Sequence, residues 1–292
     1  MKPPPFEYLA ADSVGAAVQA LADSGGDGKI IAGGQSLLPM LNFRLLRPSV
    51  LVDINRIPDL AYVRDDGDRI RIGPLTRHHV VETSSIVATQ LPVLHEAMGY
   101  VAHLAIRNRG TIGGSLSHAD PAAELPMMSL LLDARLEVQS PAGRRTIEAQ
   151  DFFLGALTTA LEDGEMLVEV NLPKLRKGTG WAFEEVARRS GDFALACVAV
   201  TLSHDDGKIS DVRIGMMGVG ETPMRATEAE RLLAGQRYSD AVVAAAVEAI
   251  RVAVEPNTDL HASSAYRRHL VGILAQRAIA KAWDRAMEAA HG

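Results

Sequence analysis

Residues 29–41 read KIIAGGQSLLPML. A short apolar run breaks at Gly33-Gly34, and a second begins at Ser36 with Pro39 in its first turn. The spacing predicts a buried strand, a glycine turn and a helix. Upstream, Asp12 or Ser13 caps a helix with Val14, Ala17, Val18 and Leu21 on one face, and Gly25-Gly26 stops it. Downstream, VLVDI at 50–54 reads as a second short strand. The first fifty residues therefore read α–β–loop–α–β.

The same grammar returns at 110–118, GTIGGSLSH. Consecutive glycines let backbone N–H groups converge on one concavity, and the missing Cβ lets a phosphate come close. Ser36, Thr111 and Ser115 add hydroxyl donors. Two such loops suit a dinucleotide with a diphosphate in its middle. Neither stretch is a G-x-G-x-x-G fingerprint or a Walker A loop. On the residues alone, a phosphate cradle and a plain turn both remain open.

Beyond residue 57, LAYVRDDGDRIRIG reads as a hairpin and LPVLHEAMGYVAH as an amphipathic helix. DPAAELPMMSLLLDA reads as a helix with Asp120 as cap and Pro121 in its first position. ARLEVQSPAGRRTIEA is another hairpin, EMLVEVNLP a strand, and KLRKGTG at 174–180 a linker. Then come WAFEEVARR, a hairpin around Asp-Asp-Gly-Lys, and helical patterns at 224–235, 239–254 and 264–289. Strands followed by helices predict a separate α+β C-terminal domain.

Composition narrows the function. The net charge of -6 and 4% aromatic content argue against a nucleic-acid surface. The single cysteine, Cys197, excludes an internal disulfide and a cysteine-held metal or iron–sulfur cluster. His78 and His79 project apart from a helix with no third ligand near, so no metal site is expected. Ser117, His118 and Asp120 stand too close in sequence to form a triad, so no catalytic residue is assigned. No signal-peptide core and no run of roughly 20 apolar residues occurs, which predicts a cytoplasmic protein without a transmembrane segment.

KIIAGGQSLLPMLNFRL, IRNRGTIGGSLSHADPAAELPMMSLLLDA and EEVARRSGDFALACVAV together resemble the FAD-binding medium subunit of molybdenum hydroxylases. That family includes carbon monoxide dehydrogenase medium subunits and xanthine dehydrogenase flavin domains. The resemblance runs in order over about residues 1–285. It implies an α+β fold: a vanillyl-alcohol-oxidase (PCMH)-type FAD-binding domain over 1–176, with subdomains of about 1–55 and 56–176. A C-terminal α+β domain of the carbon monoxide dehydrogenase flavoprotein type follows at 178–288.

The resemblance also implies cofactor contacts. In the first loop these are Lys29, Ile30, Ile31, Ala32, Gly33, Gly34, Gln35, Ser36 and Leu37. Val101 and Ala102 follow, then Thr111, Gly113, Gly114, Ser115, Ser117 and His118. Glu124 matches a carboxylate that binds ribose or ribityl hydroxyls, Leu167 an apolar contact, and Phe193 a position beside the isoalloxazine. Relatives often carry His or Asn at Gln35, some carry Asp at Glu124, and many carry Tyr at Phe193. The implied partners are an iron–sulfur small subunit and a molybdenum-cofactor large subunit, as a dimer of heterotrimers. The chain begins at Met1 without a cysteine-rich domain, which predicts a separate subunit. The alternative is a stand-alone FAD-dependent oxidase or reductase of the same fold.

Overall fold

A computed structural model describes residues 2–291. The first region runs β1 (Glu7–Ala10), α1 (Val14–Asp23), β2 (Gly28–Ile31), α2 (Leu37–Asn42) and β3 (Val50–Asp53). Its strands form a parallel sheet in the order β1-β3-β2. Ser13 caps α1, its hydroxyl accepting from the Ala16 N–H at 3.2 Å. Ala17, Val18 and Leu21 bury that helix against the sheet.

The second region opens with the hairpin β4 (Val63–Asp66) and β5 (Arg69–Ile72). Short helices follow: α3 (His78–Thr83), α4 (Ser85–Gln90), α5 (Pro92–Met98), α6 (Leu104–Arg107), α7 (Ile112–His118) and α8 (Glu124–Leu131). Next come the hairpin β6 (Arg135–Ser140) and β7 (Gly143–Glu148), α9 (Ala149–Phe152), β8 (Phe153–Gly155), β9 (Thr158–Thr159) and β10 (Met166–Pro173). The main sheet has the order β4-β5-β10-β6-β7.

Residues 174–179 lead into the third region. This holds β11 (Gly180–Ala187), β12 (Ala194–Asp205), β13 (Lys208–Met217), β14 (Met224–Arg225), α10 (Thr227–Leu233), α11 (Asp240–Ala253) and α12 (Ser264–His291). Its four strands pair consecutively. α12 covers β11 and β12 on one face. The other face meets the second region: Phe183, Cys197 and Met217 join the core built on the five-stranded sheet. With both faces covered, β12 is buried without alternation from Ala194 to Leu202, and Thr201 alone in that run is polar.

α8 lies between these regions, packing on α5 and α7 on one side and on β12, β13 and β14 on the other. All eight of its residues are buried, which is why ELPMMSLL has no polar face. Each Leu or Met buried there contributes about 1.5–3 kcal/mol.

Four sequence expectations need correction. Gly113-Gly114 is not a turn but the first turn of α7. Asp120 does not cap a helix: α8 starts at Glu124, and the Asp120 carboxylate accepts from the Ala122 N–H at 2.9 Å within a separate turn. The helix after Leu91 stops at Met98, because the chain turns at Gly99. Met224–Arg225 pairs with β13 before α10 begins. Among the described residues, no helix is long and apolar enough to cross a membrane, and no cluster of His, Cys, Asp or Glu could hold a metal.

Candidate functional site

The first glycine loop leaves the carboxyl end of β2, where open parallel sheets offer crevices for ligands. Lys29 and Ile31 share one face of β2, while Ile30 packs toward the α1 core. Gly34 takes a left-handed φ of 70°, and its α-carbon faces Leu38. The Gln35 side-chain amide donates to the Gly33 carbonyl at 3.0 Å. Ser36 occupies the cap position of α2 but makes no side-chain cap bond. Among the described residues, the backbone N–H groups of Gly33, Gly34, Gln35 and Ser36 meet no acceptor. Four consecutive unspent amides fit an anion such as a diphosphate.

The second stretch is built differently. Thr111 caps α7, its hydroxyl accepting from the Gly114 N–H at 3.1 Å. Gly113 N–H donates to the Pro74 carbonyl and Ser115 N–H to the Thr111 carbonyl. These amides are therefore spent inside the protein, and what this segment offers a ligand is the hydroxyls of Ser115 and Ser117. Its glycines serve close packing: a Cβ on Gly113 would lie 2.8 Å from the Pro74 carbonyl oxygen.

The two stretches meet. Gly33 packs on the backbone of Arg109 and Gly110. Asn55 Nδ2 donates to the Ala32 carbonyl at 2.8 Å, and Asn55 Oδ1 accepts from Arg77 Nη2 at 2.9 Å. Arg77 Nη1 donates to the Arg109 carbonyl. Asn55 and Arg77 thus tie the loops together, and no motif in the sequence marks them. His78 packs under Gly110 with both ring nitrogens buried, and burial pulls its pKa down to about 4.

The other expected residues lie on several elements. His118 ends α7 half-buried, and burial lowers its pKa. Leu167 is buried in the core of the five-stranded sheet. Val101 and Ala102 follow α5, their carbonyls accepting from Arg107 Nη1 at 2.9 and 3.0 Å. Gly191, at φ 83°, packs on Ala102 and His103, bringing the Phe193 loop to that turn. Phe193 itself is 61% exposed.

Glu124 opens α8 and is 7% exposed, and burial pushes its pKa up to about 7. Glu185 on β11 also faces inward, with Oε2 buried and unpartnered. Burial, then the nearby Glu124, pushes Glu185 up to about 8. Sequence reading missed Glu185: EEV within a strand signals only alternation.

Residues 4–175 match the family described as "FAD binding domain in molybdopterin dehydrogenase", and residues 181–282 match "CO dehydrogenase flavoprotein C-terminal domain". The chain is 47% identical to the 6-hydroxypseudooxynicotine dehydrogenase complex subunit alpha of Paenarthrobacter nicotinovorans, over 98% of this chain and 97% of that one. It is 40% identical to the carbon monoxide dehydrogenase medium chain of Hydrogenophaga pseudoflava, over 98% and 99%. A solved carbon monoxide dehydrogenase from Hydrogenophaga pseudoflava superposes with a TM-score of 0.96 at 42% identity, covering 98% of this chain and 99% of that one. The chain therefore carries a PCMH-type FAD-binding domain and belongs to the medium FAD-binding subunits of molybdenum hydroxylases, the carbon monoxide dehydrogenase medium chain family.

Proposed function

We propose that the chain is the electron-transfer subunit of a heterotrimeric molybdenum hydroxylase. It receives electrons from an iron–sulfur small subunit and passes them to an external acceptor. A molybdenum-cofactor large subunit oxidises the substrate, and the whole is a dimer of heterotrimers. Bound FAD supplies the redox chemistry, and the protein supplies binding and orientation.

The observation that carries this reading is the run of four unspent amides at Gly33–Ser36, held against the segment that enters α7. They donate to the FAD diphosphate, with Ser115 and Ser117 hydroxyls adding donors from the facing side. Lys29, Ile30, Ile31, Ala32 and Leu37 shape the approach. Thr111, Gly113 and Gly114 hold the second segment in place, and His118 and Glu124 reach the sugar hydroxyls. Val101, Ala102, Leu167 and Phe193 line the way to the ring. The lone buried Cys197 supports delivery of electrons by a separate chain, since a cysteine-held cluster needs several thiolates.

The test is co-expression with an iron–sulfur and a molybdenum subunit. The complex should release free FAD on heating and turn over a substrate that the isolated, FAD-loaded chain leaves untouched. Turnover by the isolated chain, or a complex whose chain takes up no FAD, would overturn the reading.

A further inference from the structure

Pleating of β11 sends neighbouring side chains to opposite faces. Glu184 faces α12, where Lys281 Nζ donates to its Oε1 at 3.2 Å. Glu185 faces the other way, on the side of Phe183 and directly opposite Cys197 of β12, both of which belong to the core shared with the second region. Its Oε2 is enclosed there, and among the described residues no donor reaches it.

The surrounding groups supply no counter-charge. The charge that acts on Glu185 is Glu124, a second carboxyl, at the start of α8. Asp120 acts on Glu124 in turn, and His118, whose pKa burial lowers, is neutral near and above neutrality. On α5, Glu96 accepts from Lys281 at 3.2 Å and from Arg285 at 3.4 Å, so both cations are engaged. On β14, Arg225 is held by Glu230 at 2.7 Å and by Asp133 at 3.0 Å. Tyr100, its ring 4.9 Å from that of Phe183, and Cys197 are neutral, since burial pushes both up.

Packing alone does not call for an acid here, because burying an unpaired carboxyl costs free energy that an apolar side chain of the same size would not. Ionising Glu185 would set a second negative charge beside Glu124 in an apolar wall. Burial, then Glu124, keeps it protonated to about 8.

We propose that Glu185 is a redox-linked proton site of the flavin: its carboxylate takes up one proton from solvent when FAD is reduced and returns it when the flavin is reoxidised. The proposal rests on the function above, which sets Glu124 against the cofactor and so brings Glu185 within reach of the cofactor's charge. Two electrons, from the iron–sulfur subunit in the complex or from dithionite in the test, and one proton convert FAD to FADH−. The added negative charge makes the Glu185 carboxylate bind a proton more tightly, so a second proton enters with the two electrons. Below about pH 8 Glu185 holds its proton in both states, and above it only in the reduced one.

The test is potentiometric titration of the FAD-loaded chain against pH, on wild type, Glu185→Gln and Glu185→Asp. For a two-electron couple, one proton lowers the midpoint potential by about 30 mV per pH unit and two protons by about 59 mV. Wild type should follow the shallow line from about pH 7 to about 8 and the steep one above it. Glu185→Gln should stay shallow throughout, and Glu185→Asp should regain a steep limb. In reduced-minus-oxidised infrared spectra on the steep limb, the carbonyl band of a protonated carboxyl should appear in wild type, shift in D2O and vanish in Glu185→Gln. A Glu185 that only supports the fold would move neither readout. One slope shared by wild type and Glu185→Gln, or a band that survives that substitution, would overturn the proposal and leave the flavin reading standing. If Glu185→Gln holds no FAD, the other two forms decide: a shallow wild-type slope at every pH overturns the proposal, and a steep limb whose onset moves in Glu185→Asp supports it. A wild-type chain that takes up no FAD would bring down both readings.

Discussion

Gly33 lies face to face with the Arg109 carbonyl: a Cβ on Gly33 would overlap that oxygen and sit 2.9 Å from the Gly110 α-carbon. The end of β2 and the entry to α7, some eighty residues apart in sequence, therefore form one surface. The first glycine pair presents its amides outward while its own packing leaves no room for a side chain behind.

Gly33→Ala should accordingly destabilise the protein even without cofactor. Backbone cannot swing aside as a side chain can, and such overpacking costs about 1–3 kcal/mol. Gly15 is the control, since a Cβ there meets nothing within 4 Å. Gly15→Ala in α1 should stabilise by about 0.4–1 kcal/mol. Urea unfolding of the apoproteins should rank Gly15→Ala above wild type and Gly33→Ala below. A Gly33→Ala protein as stable as wild type would mean the two segments do not touch.

Asn55→Leu should weaken FAD binding more than it weakens the fold. The substitution unpairs the Ala32 carbonyl and releases Arg77 from its 2.9 Å bond, loosening the first loop against the second. One such hydrogen bond is worth about 1 kcal/mol net, so affinity should drop roughly fivefold to tenfold. Fluorescence titration of FAD into apoprotein reads this directly. Unchanged affinity would remove Asn55 from the site.

Much of this architecture was legible beforehand because local physics and tertiary packing agree. The capped α1, the hairpins at Asp66–Arg69 and Asp205–Lys208, and the β2–glycine–α2 unit each carry their own signal. The second glycine pair misled because Gly-Gly disfavours helix on propensity alone, by about 1 kcal/mol per glycine relative to Ala. Packing against Pro74 and the Thr111 cap override that penalty. α8 was legible as a helix, but nothing in ELPMMSLL says that it is covered on every side. Asn55, Arg77 and Glu185 gave no signal, because each matters only through a partner distant in sequence.

Phe193→Ala should leave stability nearly untouched. A buried Phe→Ala change costs about 3–5 kcal/mol, but Phe193 is 61% exposed, which belongs with surface substitutions of about ±0.5 kcal/mol. Any change in flavin spectrum or reoxidation in this variant then reports on the site and not on unfolding. A loss above about 2 kcal/mol in chemical denaturation would make Phe193 a packing residue instead.

Glu124 and Glu185 should make the apoprotein less stable as pH rises through neutrality, the reverse of an ordinary ion-paired carboxylate. In the unfolded chain both ionise near 4.5, whereas in the fold burial holds them protonated to about 7 and about 8. Between those limits the folded state binds more protons than the unfolded one, so stability falls with rising pH and levels off above about 8. His78 acts in the opposite sense: its folded pKa of about 4 lies below its ordinary 6.5, so its contribution is lost as pH falls through that window. Above pH 6.5 His78 is mostly neutral in both states, and the carboxylates dominate among these three. From there to pH 8 stability should fall by about 1–2 kcal/mol, since one unit of pKa shift corresponds to about 1.4 kcal/mol. Glu185→Gln keeps the shape and removes the titration. It should flatten that slope, so that its margin over wild type widens steadily from pH 5 to pH 8. Urea unfolding at four pH values, run in parallel on both apoproteins, decides the matter. Equal slopes would mean that Glu185 is solvated and ionised in the fold, and that the inward-facing carboxyl pair does not exist in solution.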